Sequence, residues 1–237
     1  MTGHEFVAPE PLVPPPAVEA AREPSLVDRY RAMAHEFQPR PVDHVLRALD
    51  LAIASAALLF LSPLLAVCAL AVRASGRPVL YRGARVGRAG RIFWMYKLRT
   101  LRPDAEQRLG PYLGEQLSRL TEQEMTRVGR ILRAAKLDEL PQLWNVLRGD
   151  MSLVGPRPIR PTFFVTLCEE IPAYWQRLVV RPGVTGLAQL RLSREMTWAE
   201  KLVHDLEYIA DRSVSLYLSV VAQTALLVVA RLLGRSQ

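Results

Sequence analysis

The sequence predicts an α+β fold that is mostly helical: a compact domain with one small β-hairpin, anchored by an apolar membrane helix near its N-terminus and by interfacial amphipathic helices. Three observations carry this. Leu51 to Val72 is a 22-residue stretch without a charge, long enough at about 1.5 Å per residue to cover a hydrocarbon core of about 30 Å. Residues 73 to 103 contain nine Arg or Lys and no Asp or Glu, a juxtamembrane cluster that favours an anionic leaflet and marks the cytoplasmic side. From Asp104 onward the apolar pattern is mostly helical, punctuated by Pro and Gly turns.

In chain order, residues 1–43 hold eight of the 18 prolines and seven acids against four bases, which reads as a flexible tail with a short helical stretch around Leu26 to Phe37. A basic start followed by an apolar run is missing there, so it does not read as a signal peptide. The membrane helix spans 44–75. Ser62-Pro63 lies at its centre, where the proline removes a backbone hydrogen bond and predicts a sharp kink, and Ser62 can satisfy the freed backbone group. Two routes are open to such a segment: a kinked span, or a re-entrant helix that returns to the side it entered. Arg47 on one flank and Arg73, Arg77 and Arg82 on the other favour both ends being cytoplasmic.

Residues 76–237 form the domain proper. Pro78 to Arg82 and Arg91 to Arg99 are β-rich and joined by Gly87-Arg88-Ala89-Gly90, the hairpin; Lys97 and Arg99, two apart, share one face of its second strand. Near the C-terminus a helix at about 213–233 carries Ser215, Ser219 and Gln223 as a polar stripe, which makes it interfacial or packed on the domain rather than spanning. The two cysteines, Cys68 and Cys168, show no pairing or metal-binding pattern and fit a reducing compartment. The net charge of +8 accompanies no nucleic-acid-binding motif, so no nucleic-acid partner is expected.

Chemistry is concentrated in Lys136 to Asp150. Leu140, Leu143, Trp144 and Leu147 recur at helical spacing and Gly149 stops the run, so Asp138 falls near the N-cap, with Pro141 tolerated in the first turn. The helix terminus stabilises a carboxylate and attracts phosphate, which predicts an ionised Asp138 able to meet an anionic substrate. Asp138, Glu139 and a phosphate would repel one another without a cation, and Mg²⁺ is the usual hard cation for that set. Taken alone, the pair reads equally as a capping aspartate and a solvated first-turn acid.

The surrounding segments change that balance. Thr126-Arg127-Val128-Gly129-Arg130-Ile131-Leu132-Arg133, Asp138-Glu139-Leu140-Pro141-Gln142-Leu143, Arg148 to Pro158 and Arg181-Pro182-Gly183-Val184-Thr185-Gly186-Leu187-Ala188-Gln189 occur in one order. Together, from about Asp43 to Thr224, they closely resemble the bacterial sugar transferase family, the monotopic polyprenyl-phosphate phosphoglycosyl transferases. The resemblance implies a re-entrant membrane helix broken at Ser62 and Pro63. It also implies a catalytic pair Asp138 and Glu139, with Lys97, Arg99, Arg133 and Arg157 on substrate phosphates and Arg181, Gly183 and Thr185 at the nucleotide-sugar pocket. Arginine suits that work through bidentate, charge-assisted hydrogen bonds.

By the same resemblance the reaction moves a sugar-1-phosphate from a UDP-sugar to undecaprenyl phosphate through a covalent intermediate on Asp138, with Glu139 as the Mg²⁺ ligand. It is the first membrane step of exopolysaccharide, O-antigen or glycoconjugate synthesis. The place is the cytoplasmic face of the bacterial inner membrane, among membrane lipids; a homodimer stays open, and the chain reads as the catalytic unit plus a tail. Neither a P-loop nor a Gly-X-Gly-X-X-Gly stretch offers another phosphate site. Two rivals remain: a membrane-anchored scaffold that lost catalysis, and a nucleotide-sugar pyrophosphohydrolase. Departures from the family pattern fall at Leu190-Arg191-Leu192-Ser193-Arg194 and at Tyr217, where the family often carries an aspartate.

Overall fold

The computed structural model describes residues 39–103, 105, 114–191 and 196–232, with residues 114–118 and 232 described by backbone alone. The tail expected over 1–43, apart from 39–43, lies outside them, as do the stretch Leu26 to Phe37 and Leu192 to Arg194 of the departure.

The first helix, α1 (Pro41–Ala74), starts three residues before the expected boundary. Pro41 occupies its first turn, where the missing N–H costs nothing, and Asp43 accepts the Arg40 amide at 2.8 Å and the Arg212 guanidinium at 2.6 and 3.0 Å. The helix continues through Ser62-Pro63, with Pro63 inside it, so the chain keeps helical conformation at the expected break. The reason is local: Ser62 Oγ donates to the Leu59 carbonyl at 2.9 Å, the acceptor that Pro63 leaves without its amide partner.

Both halves of α1 are docked on the same domain. Leu46 and Ala54 belong to the main core, and Cys68 and Val72 pack with Leu98 and Leu132 in another. Between them residues 59–64, including the apolar Leu59 and Phe60 at 71% and 78% exposure, are exposed on every face. The apolar helix of which this segment is part is long enough to enter a membrane.

The hairpin is as expected: β1 (Leu80–Val86) pairs antiparallel with β2 (Ile92–Leu98), Tyr81 opposite Lys97, through a short 3₁₀ turn at Arg88–Gly90. Helices α2 (Gly114–Gln123) and α3 (Arg127–Ala134) follow. Thr126 caps α3 by accepting the Gly129 amide at 2.9 Å while donating to the Thr100 carbonyl. A Cβ on Gly129 would lie 2.0 Å from that same carbonyl oxygen, so the Thr126-to-Gly129 pattern reflects backbone on backbone.

A 3₁₀ turn, Leu137–Glu139, leads into α4 (Gln142–Arg148), and β3 (Ser152–Val154) pairs in parallel with β4 (Gly183–Thr185). Between them lie α5 (Pro161–Glu170) and a 3₁₀ segment, Pro172–Val179; then come α6 (Leu187–Arg191), α7 (Trp198–Asp211) and α8 (Val214–Leu232). The second small sheet was not anticipated, because three-residue strands leave no periodicity to read.

Helix α8 packs on the domain through Tyr217 and Val220, both with no exposed surface, while Ser219 and Gln223 stay outside and bond each other at 2.9 Å. Its departure from the family pattern turns out to be a docking contact. Tyr217 donates to Asp50 at 2.8 Å, and Asp50 also accepts Ser152 Oγ and the Leu153 amide, joining α8, α1 and β3 through one buried carboxylate. By length and composition alone α1 and Val214–Arg231 could each cross a membrane.

Candidate active site

The local chain path decides where the carboxylates go. Lys136 takes a left-handed backbone (φ 56°), the chain turns through Leu137–Glu139, and Pro141 stands at the N-cap position of α4. Asp138 therefore precedes the helix by a turn instead of capping it, contrary to expectation. The inner face of α4 also differs: Leu143 is buried as predicted, but Trp144 is 54% exposed while Gln142, Asn145 and Val146 are buried.

Asn145 explains the rotation. Its side chain accepts the Tyr96 amide at 3.0 Å and donates to the Trp94 carbonyl at 2.7 Å, acting as a neighbouring strand for β2. That fixes α4, and the turn before it, against the strand that carries Lys97. Arg47 of α1 secures the other end of α4 by donating to the Val146 and Leu147 carbonyls at 2.7 and 3.1 Å, a cation at a helix C-terminus.

At the turn, Glu139 Oε1 receives Lys97 Nζ at 2.7 Å and Arg157 Nη2 at 3.4 Å. Burial would raise its pKa, but Arg157 and Lys97 outweigh it and hold Glu139 down at about 2. Lys97 is itself lowered by burial, with Glu139 opposing. Asp138, 4% exposed, goes the other way: burial raises it, the neighbouring Glu139 charge adds to this, and Lys97 and Arg133 pull back. Two adjacent carboxylates are thus split, one firmly ionised and paired, one more basic than an ordinary aspartate. Such a split is a functional-site signature.

Asp138 lines a cleft of about 370 Å³ whose walls also carry Lys97, Arg99, Arg133, Arg85 and Arg160. Its size suits a small-molecule ligand, and its charge an anion. Of the expected phosphate-binding residues, Lys97, Arg99 and Arg133 share this cleft, and Arg157 joins through Glu139. Arg99 is 5% exposed and spends its guanidinium on the Pro78, Leu101 and Val72 carbonyls and Ser75 Oγ, at 2.7 to 3.2 Å. Through the Val72 carbonyl and Ser75 Oγ, Arg99 locks the end of α1 to β2. Arg85 and Arg160, which the sequence reading passed over, bring further cations to the wall.

Arg181, Gly183 and Thr185 do not line that cleft. Arg181 donates to the Gly149 carbonyl at 2.9 Å and borders a separate space of about 40 Å³ beside Asp43 and Asp50. Thr185 bonds Thr224 of α8 at 2.8 Å. Gly183 lies so close to Gly155 that a Cβ would stand 2.1 Å from the Gly155 amide nitrogen. The three expected nucleotide-sugar residues thus pack at the β3–β4 pair and α8, apart from the cleft that Asp138 lines. The Arg181-to-Gly186 run and the Gly155-to-Pro158 turn interlock through the Gly155 amide to Thr185 carbonyl and Gly183 amide to Pro156 carbonyl bonds, 2.8 and 2.9 Å, which places Arg157.

A second support was not foreseen. Arg177, 6% exposed, donates to the Arg157 carbonyl at 2.9 Å and pairs with buried Asp205 at 2.7 Å. Nothing in sequence spacing links positions 157, 177 and 205, so only the fold reveals the chain of contacts.

The domain thus clasps a helix long and apolar enough to enter a membrane and sets a split carboxylate pair beside a cationic cleft. The chain belongs to the bacterial sugar transferase family, whose sequence profile matches residues 42–231. It is 41% identical over 189 residues to the UDP-glucose:undecaprenyl-phosphate glucose-1-phosphate transferase of Caulobacter vibrioides, covering 77% of this chain and 69% of that one. It is 37% identical over 191 residues to the UDP-N-acetylgalactosamine-undecaprenyl-phosphate N-acetylgalactosaminephosphotransferase of Aeromonas hydrophila (78% and 44% covered). With the undecaprenyl-phosphate galactose phosphotransferase of Salmonella typhimurium it shares 33% identity over 195 residues (78% and 40% covered). The chain spans less than half the length of the last two relatives.

Proposed function

We propose that this protein transfers a sugar-1-phosphate from a UDP-sugar to undecaprenyl phosphate at the cytoplasmic face of the inner membrane. The observation that carries the reading is the split pair, Asp138 raised by burial beside Glu139 held near 2, in a cleft walled by cations. Relatives named for this reaction, with three different sugars, support the class of substrate.

In the first step an Asp138 carboxylate oxygen attacks the β-phosphorus of the UDP-sugar. The bond from that phosphorus to the bridging oxygen breaks, UMP leaves with the oxygen, and the sugar phosphate is held as an acyl phosphate. In the second, a phosphate oxygen of undecaprenyl phosphate attacks the same phosphorus, the acyl bond breaks, and Asp138 returns as a carboxylate. Splitting the transfer in two lets each acceptor occupy the site in turn. A raised pKa makes Asp138 the better nucleophile of the pair, and Lys97, Arg133 and Arg157 stabilise charge on the phosphate oxygens.

Mg²⁺ fits this donor set. Among the described residues no three metal-binding side chains cluster, and Mg²⁺ is commonly held by one or two carboxylates with phosphate oxygens and water completing the shell. Glu139 would hold it, and it would neutralise charge on the diphosphate.

The same reading covers the membrane. With both ends of α1 docked on the domain and residues 59–64 standing clear, α1 bends at Pro63 in the leaflet and emerges on the side it entered.

The test is UMP release from a panel of UDP-sugars, with and without undecaprenyl phosphate. Asp138→Asn is expected to abolish UMP release; turnover by that variant rules Asp138 out as nucleophile, and steady turnover without lipid points to a hydrolase. The sugar is the unsettled part, and the panel reads it directly.

A further inference from the structure

We propose that Arg88 and Arg181, flanked by Arg47 and Arg212, hold a phosphate group beside the first half of α1, and that a lipid headgroup supplies it. The site rests on the cavity these residues share; its assignment to lipid rests on the re-entrant reading of α1 above.

The four arginines line one space of about 40 Å³ together with Asp43 and Asp50, and none of them lines the cleft that holds Asp138. That volume has room for about three waters, comparable to the oxygens of one phosphate. Both carboxylates are already committed. Asp43 takes the Arg212 guanidinium at 2.6 and 3.0 Å and the Arg40 amide at 2.8 Å; Asp50 takes Ser152 Oγ, the Leu153 amide and the Tyr217 hydroxyl. Cations therefore outnumber acids around a small space, a condition that concentrates anions.

Two of the guanidiniums have donors to spare. Arg88 is half-buried at the turn between β1 and β2, and among the described residues its side chain has no hydrogen bond or ion pair. The turn does not need it, because its hydrogen bonds run between backbone atoms and its left-handed residue is Ala89. Burying a charge without a partner is costly, so an arginine kept there calls for an anion. Arg181 spends Nε on the Gly149 carbonyl at 2.9 Å, and among the described residues its terminal nitrogens bond nothing. Guanidinium nitrogens in pairs match phosphate oxygens.

The place favours a headgroup. Arg47 precedes Leu59 by twelve residues, roughly 18 Å of helix, against about 15 Å of hydrocarbon in one leaflet. With residues 59–64 in lipid, Arg47 stands at headgroup depth, where basic pockets beside membrane helices take lipid phosphate. Arg47 and Arg181 also hold the Val146, Leu147 and Gly149 carbonyls at the end of α4. A phosphate bound here fastens the leaflet to the helix that follows the Asp138–Glu139 turn.

The experiment strips the full chain of lipid in a maltoside detergent, a surround without phosphate, and follows the melting temperature as phosphatidylglycerol or inorganic phosphate is added. Phosphatidylglycerol is expected to raise it by about 3 °C in the unaltered protein. Arg88→Gln is expected to lose at least half of that shift, while melting no lower than the unaltered protein before any addition. Arg91→Gln, an exposed cation beside the same turn and outside the cavity, is expected to keep the shift. An undiminished shift in Arg88→Gln overturns the proposal, and so does an equal loss in Arg91→Gln, which would make the effect a general attraction of the basic segment. A shift that depends on Arg88 with inorganic phosphate but not with phosphatidylglycerol overturns the headgroup assignment, and with it the depth given to Arg47. Melting is read without turnover, so a chain that releases no UMP from any UDP-sugar refutes the transferase reading and leaves this site standing.

Discussion

Asp138, the nucleophile of the proposed reaction, is buried at a cost in stability. Its pKa is raised above the ordinary 3.8, mainly by burial, so the folded protein binds that proton more tightly than the unfolded chain does. Stability from this group is greatest below pH 3.8 and falls as pH rises through the folded value. At neutral pH the ionised carboxylate therefore works against the fold, and Asp138→Asn should raise the melting temperature by a few degrees while ending UMP release; a lower melting temperature would contradict the burial argument. Glu139 has the opposite sign. Its value of about 2 against 4.5 contributes stability above pH 4.5 that is lost as pH falls toward 2, so the Lys97–Glu139 pair should survive to pH values that titrate ordinary glutamates. Burial of Lys97 offsets part of that gain, as in other buried pairs. These two carboxylates were legible as a pair in the sequence. Their division was not, because it depends on Arg157 and Lys97, which lie on other elements.

At the scale of elements, several motifs prove to be contacts between backbones. The Arg181-to-Gly186 run reads in sequence like a binding loop; in the fold it holds β4, whose parallel partner β3 leads into the turn that bears Arg157. Gly183→Ala would set a Cβ 2.1 Å from the Gly155 amide nitrogen and 2.4 Å from the Thr185 carbonyl oxygen. Neither atom is on a flexible side chain, so the strands must separate and carry Arg157 away from Glu139. We expect a loss of 2 kcal/mol or more, about the scale of overpacking, with a fall in activity beyond what lost stability explains. Thermal unfolding together with UMP release at a temperature where the variant is folded checks this. The hairpin and the long apolar helix were read from sequence because their periods extend over seven or more residues. The β3–β4 sheet, Asn145 bridging to β2, and Arg177 holding the Arg157 carbonyl escaped because each is a contact between distant positions with no repeat to announce it.

For the whole molecule, the informative fact is that one helix is clasped by the domain at two places. Asp43 with Arg212, Arg47 with the end of α4, and Asp50 with Ser152 hold its first half; Arg99 on the Val72 carbonyl and the packing of Cys68 and Val72 hold its second. A helix crossing the bilayer would carry its two ends to opposite sides, and a single water-exposed domain cannot grip both. On the proposed re-entrant reading the exposed residues 59–64 enter lipid, and the Ser62 bond to the Leu59 carbonyl lets a proline sit at that depth, where an unpaired backbone group costs several kcal/mol. Cysteines placed at Pro39→Cys and Arg77→Cys, both at exposed positions, should react with a membrane-impermeant maleimide from the cytoplasmic side only, and Phe60→Cys from neither side. Native Cys68 and Cys168 are buried and provide the background. Labelling of Pro39→Cys and Arg77→Cys from opposite sides would require a spanning helix and a released clasp. Shared labelling would mean that the apolar run serves to seat the cationic cleft at the depth where a lipid-borne phosphate meets a water-borne nucleotide.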